Sequence, residues 1–320
     1  MKTYLLLFIL LNYGFAHEYD SVDGWLHPPK GMTHIGNGHG EIAIDSQGLI
    51  YISVTSGDKS GIQVYDAKGD YLHNVPNAPN DFHGFLIRHE GDGEYIYGAT
   101  LNEQSVVKMT LQGDIVLTIP ANKIPDQYKK NNKGKLGLKL TSVAVAPNGD
   151  IYAADGYGLD YIHHFDKKGK YFNTFGGRKA PYNLSNCHKI FIDHRYTPAR
   201  ILCTNRAKRN LVHLSLSGEM IGVHAKNLRR PSAISFKGDE MAVAEIEGRI
   251  SILNKQGDVI SVVSLNDSKY KGNRWKPEEW KDGIVGSPHG ITYDKQGNLL
   301  MTEYNKYGRV MRFDLAKTKE

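Results

Sequence analysis

Cysteine is almost missing from this chain: Cys187 and Cys203 are the only two in 320 residues. A disulfide framework therefore cannot be what holds it together, and no Cys-x-x-Cys zinc or redox motif can be written. Long apolar runs are missing too, apart from one at the start. "MKTYLLLFILLNYGFA" has a lysine near its beginning, an apolar core too short to span a bilayer and Gly14-Phe15-Ala16 as a cleavage point. This predicts a signal peptide over residues 1–16, a secreted or periplasmic mature protein, and no stable membrane insertion after cleavage. Beyond residue 16 no stretch sustains a helical period, and no Pro/Ser linker or low-complexity run marks a boundary, so residues 17–320 read as one domain. Nucleic-acid motifs are also lacking. The Lys-rich stretch from Lys123 to Lys139 carries no interleaved stacking aromatics and reads as a solvated face, so no nucleic-acid partner is expected.

What the chain does have is a repeat. Short apolar runs cross Gly- or Pro-marked turns in "HGEIAIDSQGLIYISV", "HGFLIRHEGDGEYIYGAT", "TSVAVAPNGDIYAAD", "HKIFIDHRYTPARILCTN", "SAISFKGDEMAVAE" and "HGITYDKQGNLLMTE". Most continue into two more β-rich runs, as in "GIQVYDAKGDYLHNV" and "RISILNKQGDVISVV". Six units of about four short strands, repeating every ~40 to 60 residues, predict an all-β, six-bladed β-propeller with four-stranded blades. The last unit stops after its third strand, "GRVMRFDL", so the segment around "DSVDGWLHPP" is expected to supply the fourth and close the ring. An unclosed array would leave unpaired edges.

Three histidines keep one register in alternate units. His83, His188 and His289 each open a first strand, 105 and 101 residues apart. A lone histidine at a strand start is ordinarily a hydrogen-bonded packing residue; three in phase around a ring converge on its axis, the ligand set of a zinc site with open positions. Thr141 and Ser232 hold that position in units three and five. Unit one offers His39 with one extra residue before its strand, so Gly40 aligns better and His39 is a fourth candidate. The other ten histidines, including His163-His164, show no such phase. Strand parity puts the first-strand starts, the second-to-third turns and the long loops between blades on one face. Tyr157, in "DGYG", and Arg206, in "NRAKR", therefore lean over the histidines. Hairpin pairing across "HRYTP" sets the two cysteines roughly opposite each other, leaving a disulfide and buried thiols both open.

These residues resemble the NHL-repeat propellers, and among them the catalytic core of peptidyl-α-hydroxyglycine α-amidating lyase. The resemblance covers nearly the whole mature chain. It implies a six-bladed ring with Zn²⁺ held by His83, His188 and His289, Tyr157 as the catalytic tyrosine acting on a hydroxyl near the metal, and Arg206 as an active-site arginine. This sequence departs from the pattern in places. A second substrate-binding arginine is replaced by "SVTSGDK", where Thr55, Ser56 and Lys59 stand. Ser287 replaces a methionine two residues before the third histidine, and so becomes a further pocket residue with His39. The family's disulfide pattern is absent. A structural Ca²⁺ stays open as a further ion.

Read without the family, a three-histidine centre beside a tyrosine and an arginine suits bond cleavage α or β to a carboxylate. The formal charge of +6 adds attraction for a small carboxylated or anionic substrate. The expectation is a metal-dependent lyase. The rival is a non-catalytic propeller of the same type that binds a peptide or an acidic glycan, since one ring can serve either role.

Overall fold

The computed structural model describes residues 18–316 except 131, 132 and 136. The proposed signal peptide lies outside the described residues. Short strands punctuated by glycine turns, the inner ones of each blade buried almost throughout and the outermost half-exposed, fold the chain into six four-stranded antiparallel sheets, the blades of a propeller. The first strands of the blades are Ile42–Ile44, Phe82–Glu90, Ser142–Val145, Cys187–Asp193, Pro231–Lys237 and Pro288–Tyr293. Each touches the first strand of the next blade, and the sixth touches the first, so the six line a central channel and the ring is closed.

Closure works as the truncated last unit requires. Tyr19–Val22 pairs with Val310–Leu315, with Tyr19 opposite Leu315 and Val22 opposite Arg312, giving blade six its fourth strand from the other end of the chain. The chain then runs on to blade one. There Gly69 sits at φ 87° with Trp25 O only 2.0 Å from where a Cβ would be, so any other residue would push the N-terminal segment off the turn.

Apolar clusters fill the gaps between blades. Tyr152, Ile162, Phe175, Ile190, Ile201 and Val212 make one of them; Tyr51, Ile62, Phe82, Ile96 and Met109 make another. Each such side chain contributes about 1.5–3 kcal/mol on burial, and because every cluster spans two blades the ring is stable only as a whole. Cys187 and Cys203 form a disulfide inside the first of these clusters, with Cα atoms 5.8 Å apart. They are offset rather than directly opposite: Cys203 faces Ile190 and Cys187 faces Asn205.

Deleting residues 19–22 should expose the edge of Val310–Leu315 and reopen the ring. The expected result is a lower denaturation midpoint together with concentration-dependent association in light scattering; a monomer with an unchanged midpoint would contradict this account of closure.

Candidate metal centre

Histidine direction is set by a break in strand pairing. In blade two, Phe82 pairs with Thr100 and Gly84 with Ala99, leaving His83 without a partner. Pairing is likewise interrupted between Cys187 and Ile190 around His188, and between Pro288 and Gly290 around His289. A bulge turns its extra residue out of the regular alternation. All three side chains are fully buried.

The neighbouring blade then fixes each ring. His83 Nδ1 lies 2.8 Å from Thr141 O, His188 Nδ1 2.9 Å from Ser232 O, and His289 Nδ1 2.8 Å from Gly40 O. A carbonyl oxygen can only accept, so each Nδ1 carries the proton and each Nε2 presents a lone pair. Thr141, Ser232 and Gly40 are the residues that hold the histidine position in blades three, five and one. The ring centroids lie 4.7, 4.9 and 4.9 Å apart, with planes 84–89° to one another. Burial pushes all three pKa values well below 6.5; Lys189 and neighbouring imidazoles push all three the same way, and Arg206 does so for His83 and His188.

Tyr157 meets this cluster from above. Its hydroxyl is 3.0 Å from His83 Nε2, 3.1 Å from His188 Nε2 and 3.2 Å from His39 Nε2. It has one proton to offer. His289 Nε2 is buried with no hydrogen-bond partner among the described residues. Lone pairs therefore outnumber the protons available to satisfy them, a shortage that a cation would relieve, and the residues fit a divalent metal of the imidazole-binding kind. The turn that delivers Tyr157 is built tightly. Asp155 accepts from the N–H groups of Lys139 at 2.5 Å and Leu159 at 2.6 Å, and burial raises its pKa to about 7. A Cβ on Gly156 would meet Cys187 O at 2.2 Å.

Arg206 is 7% exposed. Its Nε donates to Asn186 Oδ1 at 2.6 Å and its Nη2 to the Tyr157 oxygen at 3.5 Å, while Nη1 is buried with no partner among the described residues. Burial raises the Tyr157 pKa, and the Arg206 charge works against that rise.

His39 joins the cluster, its ring 4.8 Å from His83 and 5.0 Å from His289. Ser287 is buried and donates to Gly272 O at 2.8 Å, so it anchors a long loop. Sequence reasoning missed four other groups. Tyr304 packs 4.5 Å from His39, and Tyr270 sits within the influence of Arg206 and Arg230. Across the channel the buried Lys189 Nζ bonds Glu41 Oε2 at 2.6 Å and reaches His289 O at 3.4 Å.

No protein-family profile and no curated protein matches the sequence. Solved structures do match in shape. A streptogramin B lyase aligns with TM-score 0.60 at 14% identity, covering 94% of this chain and 98% of its own. Virginiamycin B lyase from Staphylococcus aureus aligns at 0.55 and 13%, covering 89% and 98%. A catalytically inactive histidine-to-alanine variant of that enzyme, solved with quinupristin, aligns at 0.57 and 13%, covering 94% and 100%. At these identities the likeness is one of fold.

Folding withholds a proton from these imidazoles, so below the ordinary value of 6.5 the unfolded chain binds more protons than the folded one. The cradle's contribution to stability is whole above 6.5 and shrinks as pH falls, down to about 3 for His39. In the metal-free protein the ring NMR signals of His39, His83, His188 and His289 should keep their neutral positions from neutrality to about pH 5. Titration of these four near 6.5 would contradict the burial argument.

Proposed function

We propose that this protein is a secreted, zinc-dependent lyase acting on a small carboxylated substrate, related to peptidyl-α-hydroxyglycine α-amidating lyase but with an altered substrate site. The observation that carries the reading is the convergence of three carbonyl-pinned, neutral imidazoles on one another, two of which, His83 and His188, also meet the Tyr157 hydroxyl, beside an arginine with an unpartnered buried Nη1. His83, His188 and His289 would hold the metal. Zinc bound there supplies Lewis acidity toward a substrate hydroxyl.

The chain's own residues then have separate tasks. Arg206 directs Nη1 at the substrate carboxylate, and its bond to Asn186 fixes the guanidinium plane for that contact. Tyr157 is kept protonated by burial and serves as a proton shuttle. It takes the proton of the substrate hydroxyl and gives its own to the leaving atom. The O–H electron pair becomes the second bond of a new C=O, and the bond from that carbon to the leaving atom breaks with its electron pair. The products are a carbonyl compound and the protonated leaving group. No water is consumed.

Thr55, Ser56 and Lys59 stand where the amidating lyase carries a second arginine, and the Ser287 hydroxyl is committed to Gly272. The preferred substrate is therefore expected to be a different carboxylated molecule from a peptidyl-hydroxyglycine. One observation favours the rival reading. A groove of about 720 Å³ on the same face is lined by Lys130, Arg178, Lys179, Tyr161 and Tyr182, and basic and aromatic groups of this kind suit an acidic glycan or peptide held without chemistry.

The test is zinc analysis followed by turnover on a panel of hydroxyglycine peptides and acidic oligosaccharides. Tyr157→Phe should cut turnover by roughly 10² to 10⁴-fold while zinc content stays near one per chain. Full activity in Tyr157→Phe would remove the mechanism, and glycan binding with no turnover would favour the rival. Robust cleavage of a hydroxyglycine peptide would show that the substrate site is not altered.

A further inference from the structure

His39 has the geometry of the other three imidazoles and lacks their restraint. Ligand nitrogens of His39, His83 and His289 all lie within 4.8 Å of one another. Its centroid distances of 4.8 and 5.0 Å to His83 and His289 match the 4.7–4.9 Å spacings inside the in-phase trio. Its Nε2 points to the same phenol oxygen that His83 and His188 share. Among the described residues nothing hydrogen-bonds its Nδ1, whereas each ring of the trio is held there by a carbonyl.

The backbone around it is the reverse of loose. Gly38 N donates to Asn305 O at 2.9 Å, and a Cβ on Gly38 would lie 2.8 Å from Glu303 O. A Cβ on Gly40 would lie 2.5 Å from Ser53 Cβ, and the Gly40 carbonyl is already taken by His289. The main chain is fixed at the rim of the cradle, and His39 can move only through its side-chain torsions. A ring with no outer-sphere partner at Nδ1 is more weakly held than its pinned neighbours.

We propose that His39 is a fourth, detachable imidazole ligand of the metal centre, a proposal that rests on the zinc reading above. With His39 attached, its imidazole would join the ion beside His83 and His289, whose ligand nitrogens lie within 4.8 Å of its own; with it swung away, the position needed by a substrate hydroxyl would open while His83, His188 and His289 kept the ion. Catalytic centres keep such a position, and here a side-chain rotation would govern it.

The experiment compares full-length wild type with His39→Ala and His39→Gln, the second variant keeping bulk at the site. Zinc affinity is measured by competition with a chelator. Ligating rings are counted from hyperfine-shifted histidine signals after loading with Co²⁺. Four ligating rings are expected in wild type and three in both variants, with one ion still bound and affinity weaker by at least about 10-fold. Three rings in wild type with unchanged affinity in the variants would overturn the proposal. Complete loss of the ion from both variants would overturn detachability. His83→Ala tells the two levels apart: if it keeps full zinc affinity, the zinc reading itself fails, whatever His39 does.

Discussion

Three hydrogen bonds from imidazole Nδ1 to a carbonyl of the next blade determine most of what this molecule can do. Each chooses a tautomer, aims Nε2 at the axis and crosses a blade boundary. The centre therefore belongs to the ring as a whole. His289 to Gly40 is the most revealing of the three, since it spans the seam where blade six meets blade one. The same blade takes its fourth strand from Tyr19–Val22. A strand on the outside of the ring thus secures a nitrogen at its centre, through the sheet between them.

Charge around the cradle is arranged in layers. Below it, Lys189 is matched by Glu41 at 2.6 Å, so the buried pair adds little net charge while tying blade four to blade one. Above it, the buried Nη1 of Arg206 has no matching carboxylate among the described residues. Between them lie neutral imidazoles with surplus lone pairs. A cation in the middle and an anion above would satisfy both deficits, and together they would place a carboxylated substrate beside the Tyr157 hydroxyl.

Much of this was legible in the sequence because a propeller repeats its register. The six units, the borrowed closing strand, the phase of His83, His188 and His289, and the shared face of Tyr157 and Arg206 all follow from counting strands. Thr141, Ser232 and Gly40 were placed at the in-phase position of the other blades, but that their carbonyls accept from the histidines was not legible, because a backbone contact across a blade boundary leaves no mark in the side-chain pattern. His39 was harder to see because one extra residue takes it off the register, and only the glycine-packed path of residues 36–40 brings it back. Tyr304 and Tyr270 come from a turn and a long loop whose course no periodicity predicts. Lys189 and Glu41 were invisible as a pair because they lie 148 residues apart and meet only across the channel. The cysteines were placed in the right hairpin, while their offset depends on the bulge at His188, which alternation alone does not reveal.

The central claim is that the three pinned imidazoles share one ion. Anomalous diffraction at the zinc edge, from crystals of the zinc-loaded protein, tests it most directly. The account predicts one strong peak on the ring axis about 2.0–2.1 Å from the Nε2 atoms of His83, His188 and His289. A cradle without a peak, or a zinc ion bound elsewhere on the propeller with the Tyr157 hydroxyl still hydrogen-bonded to His83 and His188, would contradict it.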